Sequence, residues 1–372
     1  RDLRMSRGLG DVYKRQTKNL LLGIAAVCGS TFQAVACTGI SLTSRDGSYV
    51  QARTIEWARG VLQSEYVIIP RDRQLTSFTP TGVNGLTFTA KYGVVGLAVV
   101  QKEFIAEGIN EAGLSAGLFF FPHYGGYETY DAAQNQRTLA DLQVTEWLLS
   151  QFSTIDEVKA ALSSVRVVGL ETTAVVHWRI GEPSGRQVVL EIVGGVPHFY
   201  ENKVGVLTNA PGFEWQLINL NNYVNLHPGD ASVQKLSGIT LQPTGSNSGF
   251  LGIPGDATPP SRFVRAAFYR GTAPQRATGF DTVQQCFHLL NNFDIPIGIE
   301  YSQAGDIPDI PSATQWTSAI DLTNRKVYYK TAYNNSIRCI DLKAIDFSKV
   351  KYQSQPLDKI QEQPVEMVKI PR

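Results

Sequence analysis

A cysteine that follows a signal-like segment is the first residue of this sequence with a clear chemical use. Thr17–Asn19 carries a positive charge, 20–28 is apolar, and Ala34-Val35-Ala36 has the small-x-small form of a signal cleavage site. The apolar run is too short for a bilayer span, which takes about 20 residues. We therefore expect a signal peptide over 17–36, whose removal makes Cys37 the first residue of an exported, periplasmic or secreted protein.

An amino-terminal cysteine carries its own general base. A free α-amine has a pKa of about 7.7–8.0 and a thiol of about 8.5, so part of the amine can accept the thiol proton at neutral pH. Cys37 is therefore a candidate nucleophile. The alternative is a lipoprotein signal, which would make the chain a lipidated binding protein whose cysteine cannot react. Ala34 stands where such signals usually carry leucine, so this second interpretation fits less well.

The hairpin that should follow Cys37 brings a cation towards its thiol. Two runs of β-forming residues flank Asp46-Gly47, a strong turn signal. A turn centred on Asp46 puts Cys37 opposite Ile55, and Arg53 then lies diagonally on the same face, about 7–8 Å away. A guanidinium there would lower the pKa of the thiol. A register shift of one residue would instead turn Arg53 to the other face, as a solvated surface arginine.

Composition and cysteine pattern narrow the remaining function classes. The 372 residues include 34 Lys and Arg against 33 Asp and Glu, so no basic surface for nucleic acid is expected. There is no Cys-x-x-Cys or Cys/His cluster, so we expect no metal and no cofactor. Cys286 and Cys339 are expected to pack in the core. A Cys/His thiol hydrolase is a third hypothesis, although His177 lies in an apolar strand-like run and is expected to be structural.

Periodicity predicts blocks of strands and blocks of helices rather than alternating βαβ units. Strands are predicted at 37–42, 49–55, within 86–101 and 104–121, and at 172–180, 187–193, 198–202, 204–209, 314–321, 326–333 and 336–342. Helices are predicted at 138–151, 213–223, 261–269 and 282–293, and after the capping-box pair Thr154 and Glu157. This order favours an α+β fold with stacked antiparallel sheets and external helices.

The domain organisation expected from these patterns is simple. Residues 1–16 match neither a targeting signal nor a periodic element, and we interpret them as a non-native extension, with a disordered native extension as the alternative. The mature chain is expected to form one domain over 37–350. Residues 351–372 are polar and contain proline, and we expect a loosely held tail.

Six short segments keep a fixed order along the chain. They are Cys37-Thr38-Gly39, Ala52–Trp57, Gly108–Leu114, Gly205–Pro211, Gly252–Asp256 and Ser261–Phe263. Together they resemble the choloylglycine hydrolase family, which includes bile salt hydrolases and penicillin V acylases. The resemblance covers 37 to about 345 and implies the four-layer αββα fold of the N-terminal nucleophile hydrolases.

The resemblance also implies roles for individual residues. Cys37 corresponds to the nucleophile, with its amine as base, and Arg53 to the arginine beside it. Asn209 corresponds to the asparagine that helps to build the oxyanion hole and hold the amine. Arg262 corresponds to the second active-site arginine. Without the resemblance, Asn209 would be interpreted as a turn residue and Arg262 as a surface or helix-start residue.

Two positions depart from the family pattern. Glu56 stands where the family usually has an aspartate that contacts the amine of the nucleophile. Phe120 stands where many members have asparagine or tyrosine as an oxyanion-hole donor. A phenylalanine side chain donates no hydrogen bond, and loss of such a donor costs about 10²–10³ in rate. We therefore expect main-chain N–H groups or water to replace it.

Aromatic and aliphatic side chains near the nucleophile predict an apolar acyl pocket, with core packing as the alternative. The candidate substrate-binding residues are Trp57, Leu62, Phe120 and Phe121. Glycine- and taurine-conjugated bile salts are the first expectation, because 209–262 is most similar to that branch. Penicillin V and N-acyl-homoserine lactones are the alternative. Residues 222–248 resemble the family's assembly loop, which predicts a homotetramer.

Overall fold

The structure, a computed structural model, describes residues 36–170, 175–300 and 306–371. The expected extension over 1–16 and all but the last residue of the expected signal peptide lie outside the described residues. The start of the strand expected at 172–180 also lies outside them.

The described chain is built mainly of strands, with helices in two groups. The strands are β1 Cys37–Thr43, β2 Tyr49–Glu56, β3 Ser64–Ile69, β4 Gln74–Thr76, β5 Thr87–Thr89, β6 Val94–Val99, β7 Ile105–Asn110, β8 Ser115–Phe120, β9 Thr138–Ala140, β10 Arg166–Val168, β11 Val176–Gly181, β12 Gln187–Val193, β13 Val196–Glu201, β14 Val206–Leu207, β15 Gln234–Leu236, β16 Ile239–Leu241, β17 Thr314–Asp321, β18 Lys326–Thr331, β19 Arg338–Asp341 and β20 Gln353–Pro356. The α-helices are α1 Val144–Gln151, α2 Ile155–Ala161, α3 Phe213–Asn219, α4 Pro259–Thr272 and α5 Gly279–Leu290.

Two antiparallel sheets form the centre of the molecule. One has six strands in the order β14-β1-β2-β17-β18-β19, and the other has eight in the order β13-β12-β11-β8-β7-β6-β3-β20. Helices α4 and α5 contact β1, while α1 contacts β7 and β8. Side chains of the six-stranded sheet reach main-chain oxygens of the eight-stranded sheet, as Arg53 does at Ala106 and Leu118. The sheets are therefore stacked with helices outside, which confirms the predicted α+β architecture.

The hairpin of β1 and β2 has the predicted register. Cys37 lies opposite Ile55, and Gly39 lies opposite Arg53. Glycine is required at 39 because a Cβ there would lie 2.8 Å from the Phe119 ring of the other sheet. The sheets thus approach closely beside the first residues of β1, where the nucleophile candidate lies.

The helix expected at 138–151 begins later than predicted. Thr138–Ala140 forms β9, which pairs in parallel with β10, and a 3₁₀ turn over Asp141–Gln143 follows before α1. The main chain of β9 is also bound elsewhere, since Ala140 N–H donates to Ser77 Oγ at 2.8 Å. The apolar spacing of this segment is helical, but pairing with distant segments decides its first residues.

The boundary expected at 350 is too early. Strand β20 pairs with β3 at the edge of the eight-stranded sheet, and Leu357 is buried behind it. The segment over 351–372 therefore begins as part of the domain, although its polar sequence gives no strand signal. The cysteines also differ from expectation in part, because Cys286 is buried as predicted whereas Cys339 is exposed.

Candidate active site

The sulfur of Cys37 lies between the two sheets, against a guanidinium. Arg53 Nη2 donates to Cys37 Sγ at 2.7 Å, and the main-chain N–H of Phe120 hydrogen-bonds to the same sulfur. Burial raises the pKa of the Cys37 thiol, and the charge of Glu56 adds to that effect. The charges of Arg53 and Arg262 and the Phe120 N–H lower it. Burial prevails in the intact chain, in which Cys37 is still joined to Ala36.

Arg53 is held rigidly in this position. Its Nε donates to the Thr54 carbonyl at 3.1 Å, and its Nη1 donates to the carbonyls of Ala106 and Leu118. Its guanidinium lies 4.1 Å from the centre of the Phe119 ring. Because the side chain is fully buried and bonded along its edges, the nitrogen facing Cys37 has little freedom to move.

A buried carboxylate and a second arginine lie behind Arg53. Glu107 Oε1 accepts from Arg179 Nη2 at 2.9 Å, and Glu107 Oε2 lies 3.8 Å from Arg53 Nη1. Gly117 leaves room for this carboxylate, since a Cβ there would lie 2.1 Å from Glu107 Oε2. Neither Glu107 nor Arg179 was predicted from the sequence. The signal available in the sequence was a charged residue within a mostly apolar strand. A charge that is buried in such a strand needs a buried partner.

The main chain of Cys37 is held by an amide. Asn209 Oδ1 accepts from Cys37 N at 2.9 Å, and Asn209 Nδ2 donates to the Phe120 carbonyl at 2.8 Å. These two contacts determine which way the amide faces, since Oδ1 must accept and Nδ2 must donate. Asn209 therefore connects β1 to the end of β8.

Arg262 completes the contact with the main chain from the helical side. It is buried in the first turn of α4, where Nη2 donates to Asn209 Oδ1 at 2.7 Å and Nη1 donates to the Cys37 carbonyl. Nη1 also donates to Thr38 Oγ1 at 2.9 Å. Asp256 organises the start of this helix by accepting from Ser261 Oγ at 2.6 Å, and such hydrogen bonds lower the pKa of Asp256 to about 2.

Glu56 lies beside this group at the end of β2. It is buried, and its Oε1 accepts from Thr314 Oγ1 at 3.3 Å. Its main-chain N–H donates to the Ala36 carbonyl at 2.9 Å, which aligns the residue before Cys37 with β2. The negative charge of Glu56 acts on the thiol by raising its pKa.

The expected apolar pocket residues fall into two groups. Trp57 and Phe120 keep part of their surface exposed, and Trp57 has the Arg59 guanidinium 5.7 Å from its ring. Leu62 is buried, with its N–H bonded to Gln315 Oε1. Phe121 is instead a core residue, with no exposed surface and its ring stacked on His177 at 4.3 Å. Of these four side chains, Trp57 and Phe120 are thus the ones that a substrate could contact without displacing core residues.

The two stacked antiparallel sheets with outer helices are the αββα fold of the N-terminal nucleophile hydrolases, as in conjugated bile acid hydrolase. The family model of the linear amide C–N hydrolases, choloylglycine hydrolase family, matches residues 37–355. The chain therefore belongs to the choloylglycine hydrolase family and is a linear amide C–N hydrolase.

Individual relatives agree with this assignment. A "Bile salt hydrolase/transferase" of Clostridium perfringens is 31% identical over 313 residues, which cover 82% of this chain and 92% of the relative. A "Penicillin V acylase" of Pectobacterium atrosepticum is 25% identical over 88% of this chain and 86% of its own length. The crystal structure of a mutant conjugated bile acid hydrolase from Clostridium perfringens superposes with a TM-score of 0.77 and 27% identity, covering 90% of this chain and all of that one.

Proposed function

We propose that the protein hydrolyses amides with Cys37 as nucleophile, after cleavage between Ala36 and Cys37. The observation that carries the proposal is that the sulfur and the nitrogen of one residue are both engaged, the sulfur by Arg53 and the nitrogen by Asn209. The family match also begins at Cys37. Cleavage would convert the peptide nitrogen into an α-amine at hydrogen-bond distance from Asn209 Oδ1.

The proposed reaction uses that amine as the base. It accepts the thiol proton, and the thiolate attacks the substrate carbonyl carbon, so that a C–S bond forms and the carbonyl oxygen becomes an oxyanion. The second N–H of Asn209 Nδ2 and the main-chain N–H of Phe120 are the proposed oxyanion donors. The ammonium protonates the leaving amine as the C–N bond breaks. Water then attacks the thioester, gives its proton to the amine, and releases the acid and the thiol.

The two arginines and Glu56 have distinct proposed parts in this reaction. Arg53 stabilises the thiolate through its contact with the sulfur. Arg262 fixes the Cys37 carbonyl and Asn209, so that the amine and the oxyanion donors stay in place. Glu56 is proposed to attract the ammonium form of the new amine. The Phe120 N–H would supply the donor that the phenylalanine side chain lacks.

Conjugated bile salts are the proposed substrates, with an acyl pocket that includes Trp57, Leu62 and Phe120. Support comes from the bile salt hydrolase relative, which covers 82% of the chain. Penicillin V is the second candidate, favoured by the acylase relative that covers 88% of the chain. N-acyl-homoserine lactones, which present a similar amide on an apolar chain, are a further candidate of the same class.

One substrate panel tests these candidates. The mature protein is incubated with glycine- and taurine-conjugated bile salts, penicillin V and acyl-homoserine lactones, and the released amine is measured. We expect bile salts to give the highest kcat/KM and Cys37→Ser to remove the activity. Hydrolysis of the last two substrates without the first would overturn the bile salt proposal.

Mass spectrometry of the mature amino terminus tests the state of Cys37. We expect a chain that begins with an unmodified Cys37. A lipid adduct would support the lipidated binding protein and would overturn the proposed chemistry, because an alkylated sulfur cannot attack a carbonyl. An uncut Ala36–Cys37 bond in active protein would exclude the amine as base.

We also propose export and a homotetramer. Residues 17–36 would direct the chain to the periplasm or the medium, and the assembly would use 222–248. Apolar side chains lie exposed along the β15–β16 hairpin, namely Val233, Leu236, Ile239 and Leu241. Light scattering after size exclusion should give four times the chain mass, and cell fractionation should find the protein outside the cytoplasm.

None of the described helices has the length and apolar character needed to cross a membrane.

A further inference from the structure

His177 takes no part in the proposed chemistry, yet it touches both segments that hold Cys37. It lies on β11 without exposed surface, and its Nε2 is 3.1 Å from the Thr208 carbonyl oxygen. Thr208 immediately precedes Asn209. The imidazole also stacks on Phe121 at 4.3 Å and 7°, next to Phe120 at the end of β8. His177 thus supports both of the segments proposed to bind the oxyanion.

Both ring nitrogens of His177 face acceptors. Nε2 faces a carbonyl oxygen, which can only accept, so Nε2 must carry a hydrogen. Nδ1 lies 3.1 Å from Glu191 Oε1, and that oxygen already accepts the Phe213 N–H at 2.8 Å. Beside an ionised Glu191, a neutral imidazole has one N–H and would leave two facing lone pairs at Nδ1; it satisfies both contacts only if Glu191 itself carries a proton. An imidazolium has two N–H groups and satisfies both contacts.

The surroundings of this pair fit a buried ion pair. The side chains of His177 and Glu191 are 0% and 3% exposed, so an uncompensated charge on either would be costly. The aromatic rings of Phe119 and Phe121 enclose the imidazole. His198 is the residue paired with Glu191 on the neighbouring strand β13, and its side chain is exposed. Glu191 is therefore the carboxylate that balances an imidazolium at 177.

We propose that His177 is an imidazolium whose ion pair with Glu191 positions Thr208 and Asn209 for catalysis. His177 acts as a positioning residue: its Nε2–H fixes the Thr208 carbonyl, and Asn209 then meets Cys37 N. Glu191 adds a second anchor, because it also holds the N–H of Phe213 at the start of α3. The inference rests on the proposed function in one respect, the role of Asn209 beside Cys37.

Selective ¹⁵N labelling of histidine tests the protonation state without any substrate. The spectrum of the mature protein is recorded at pH 7, and the signals missing in His177→Gln are those of His177. We expect both ring nitrogens of His177 to carry a hydrogen. One hydrogen-free nitrogen would mean that the shared proton lies on Glu191 or is absent, and it would overturn the imidazolium.

Kinetics of three variants test the positioning role. Glu191→Gln keeps an acceptor oxygen for both donors and removes the charge. His177→Gln keeps one donor, and His177→Phe keeps the stacking on Phe121 and removes both donors. We expect His177→Phe to lower kcat by about 10- to 100-fold with little change in KM, because a misplaced catalytic group costs that much. His177→Gln should recover part of this loss, and Glu191→Gln should lie between wild type and His177→Phe.

The control is His288→Gln, the same substitution at an exposed histidine of α5, which should leave kcat unchanged. Circular dichroism melts show which variants are folded at the assay temperature, and Glu191→Gln decides the case should His177→Phe not fold. Wild-type kcat in all folded variants would overturn the inference while leaving the proposed function intact. Absence of hydrolysis by the wild type would refute the proposed function, and the histidine spectrum would still decide the protonation state.

Discussion

Arg53 and Arg262 reach Cys37 from opposite faces of β1. Arg53 comes from the neighbouring strand on the face between the sheets, and it contacts the sulfur at 2.7 Å. Arg262 comes from α4 on the helical face, where it binds the Cys37 carbonyl and Asn209. Because side chains alternate along a strand, one hairpin presents the thiol to one face and Thr38 to the other. One arginine thus stabilises negative charge on the sulfur from one face, and the other fixes the position of the main chain from the opposite face.

The two arginines also contact different parts of Cys37 and its surroundings. Arg53 shares its surroundings with a buried carboxylate, Glu107, and a further arginine, Arg179. Arg262 donates hydrogen bonds to oxygens of Cys37, Thr38, Asn209 and Ala257. Changes at Arg53, which contacts the sulfur, should therefore act mainly on the thiol pKa, whereas a change at Arg262 that keeps its positive charge should act mainly on geometry.

Replacing Cys37 itself should have the largest effect, because both arginines converge on it. Cys37→Ser and Cys37→Ala should lower kcat by at least about 10⁴-fold, as loss of a nucleophile does elsewhere. The melting temperature should stay near that of the wild type, since the cavity left by a thiol is small. Amine release and a thermal melt measure the two quantities. Appreciable turnover by Cys37→Ala would show that another group attacks the amide.

Arg53→Gln should have the next largest effect, through the thiol pKa. Removing this cation raises the pKa by about one to three pH units, and the thiolate at pH 7 falls about 10-fold for each unit. Glu107 keeps Arg179 as its partner in this variant. The pH profile of iodoacetamide alkylation measures the change, in a Cys339→Ser background that removes the exposed thiol. Cys286 does not interfere, because burial raises the pKa of its thiol to about 12.

Arg262→Lys should lower kcat with a smaller change in the alkylation profile. Lysine keeps the charge, but it cannot contact the Cys37 carbonyl and Asn209 at once with a planar fork. We expect kcat to fall by about 10- to 100-fold from misplacement of the amine and the oxyanion donors. An alkylation profile displaced as far as in Arg53→Gln would contradict the division between the two faces.

The Arg53 side of this site could be predicted in part from the residue pattern of the sequence, whereas the Arg262 side could not. The hairpin register and the diagonal of Cys37 and Arg53 were predicted, because a short turn determines them locally. The roles of Asn209 and Arg262 came only from the family resemblance, since 172 residues separate Cys37 from its amide partner. Glu107 and Arg179 were missed because they meet Arg53 only when the two sheets stack. Strand β20 was missed because edge pairing needs no apolar pattern.

Glu107→Gln should have a moderate effect and in the opposite direction to Arg53→Gln. Without the carboxylate, more of the Arg53 field acts on the sulfur, so the pKa of the Cys37 thiol should fall and alkylation at pH 7 should become faster. The buried arginines lose their counter-charge, and the free energy of unfolding should fall by about 3–5 kcal/mol. Glu111→Gln, at the partly exposed pair with Arg71, is the control and should cost about 1 kcal/mol or less. An unchanged or raised thiol pKa in Glu107→Gln would mean that this carboxylate does not moderate Arg53.

We expect the smallest effect on turnover at Glu146. Comparison of this carboxyl with Glu107 also tests what neighbouring arginines do for a buried carboxyl. This carboxyl is as buried as Glu107, but it accepts a hydrogen bond from the neutral Gln143 Nε2 at 3.0 Å, and burial raises its pKa to about 8. Its ordinary pKa is 4.5, so the folded state holds its proton more tightly than the unfolded state does. The stabilisation of the fold by protonated Glu146 is complete below pH 4.5 and is lost as the pH rises towards 8.

Glu146→Gln should therefore melt like the wild type at pH 4.5 and at a higher temperature than the wild type at pH 8.5. The exposed Glu366→Gln is the control and should follow the wild type at both pH values. A wild-type melting temperature that does not fall across this range would show that Glu146 is charged in the fold.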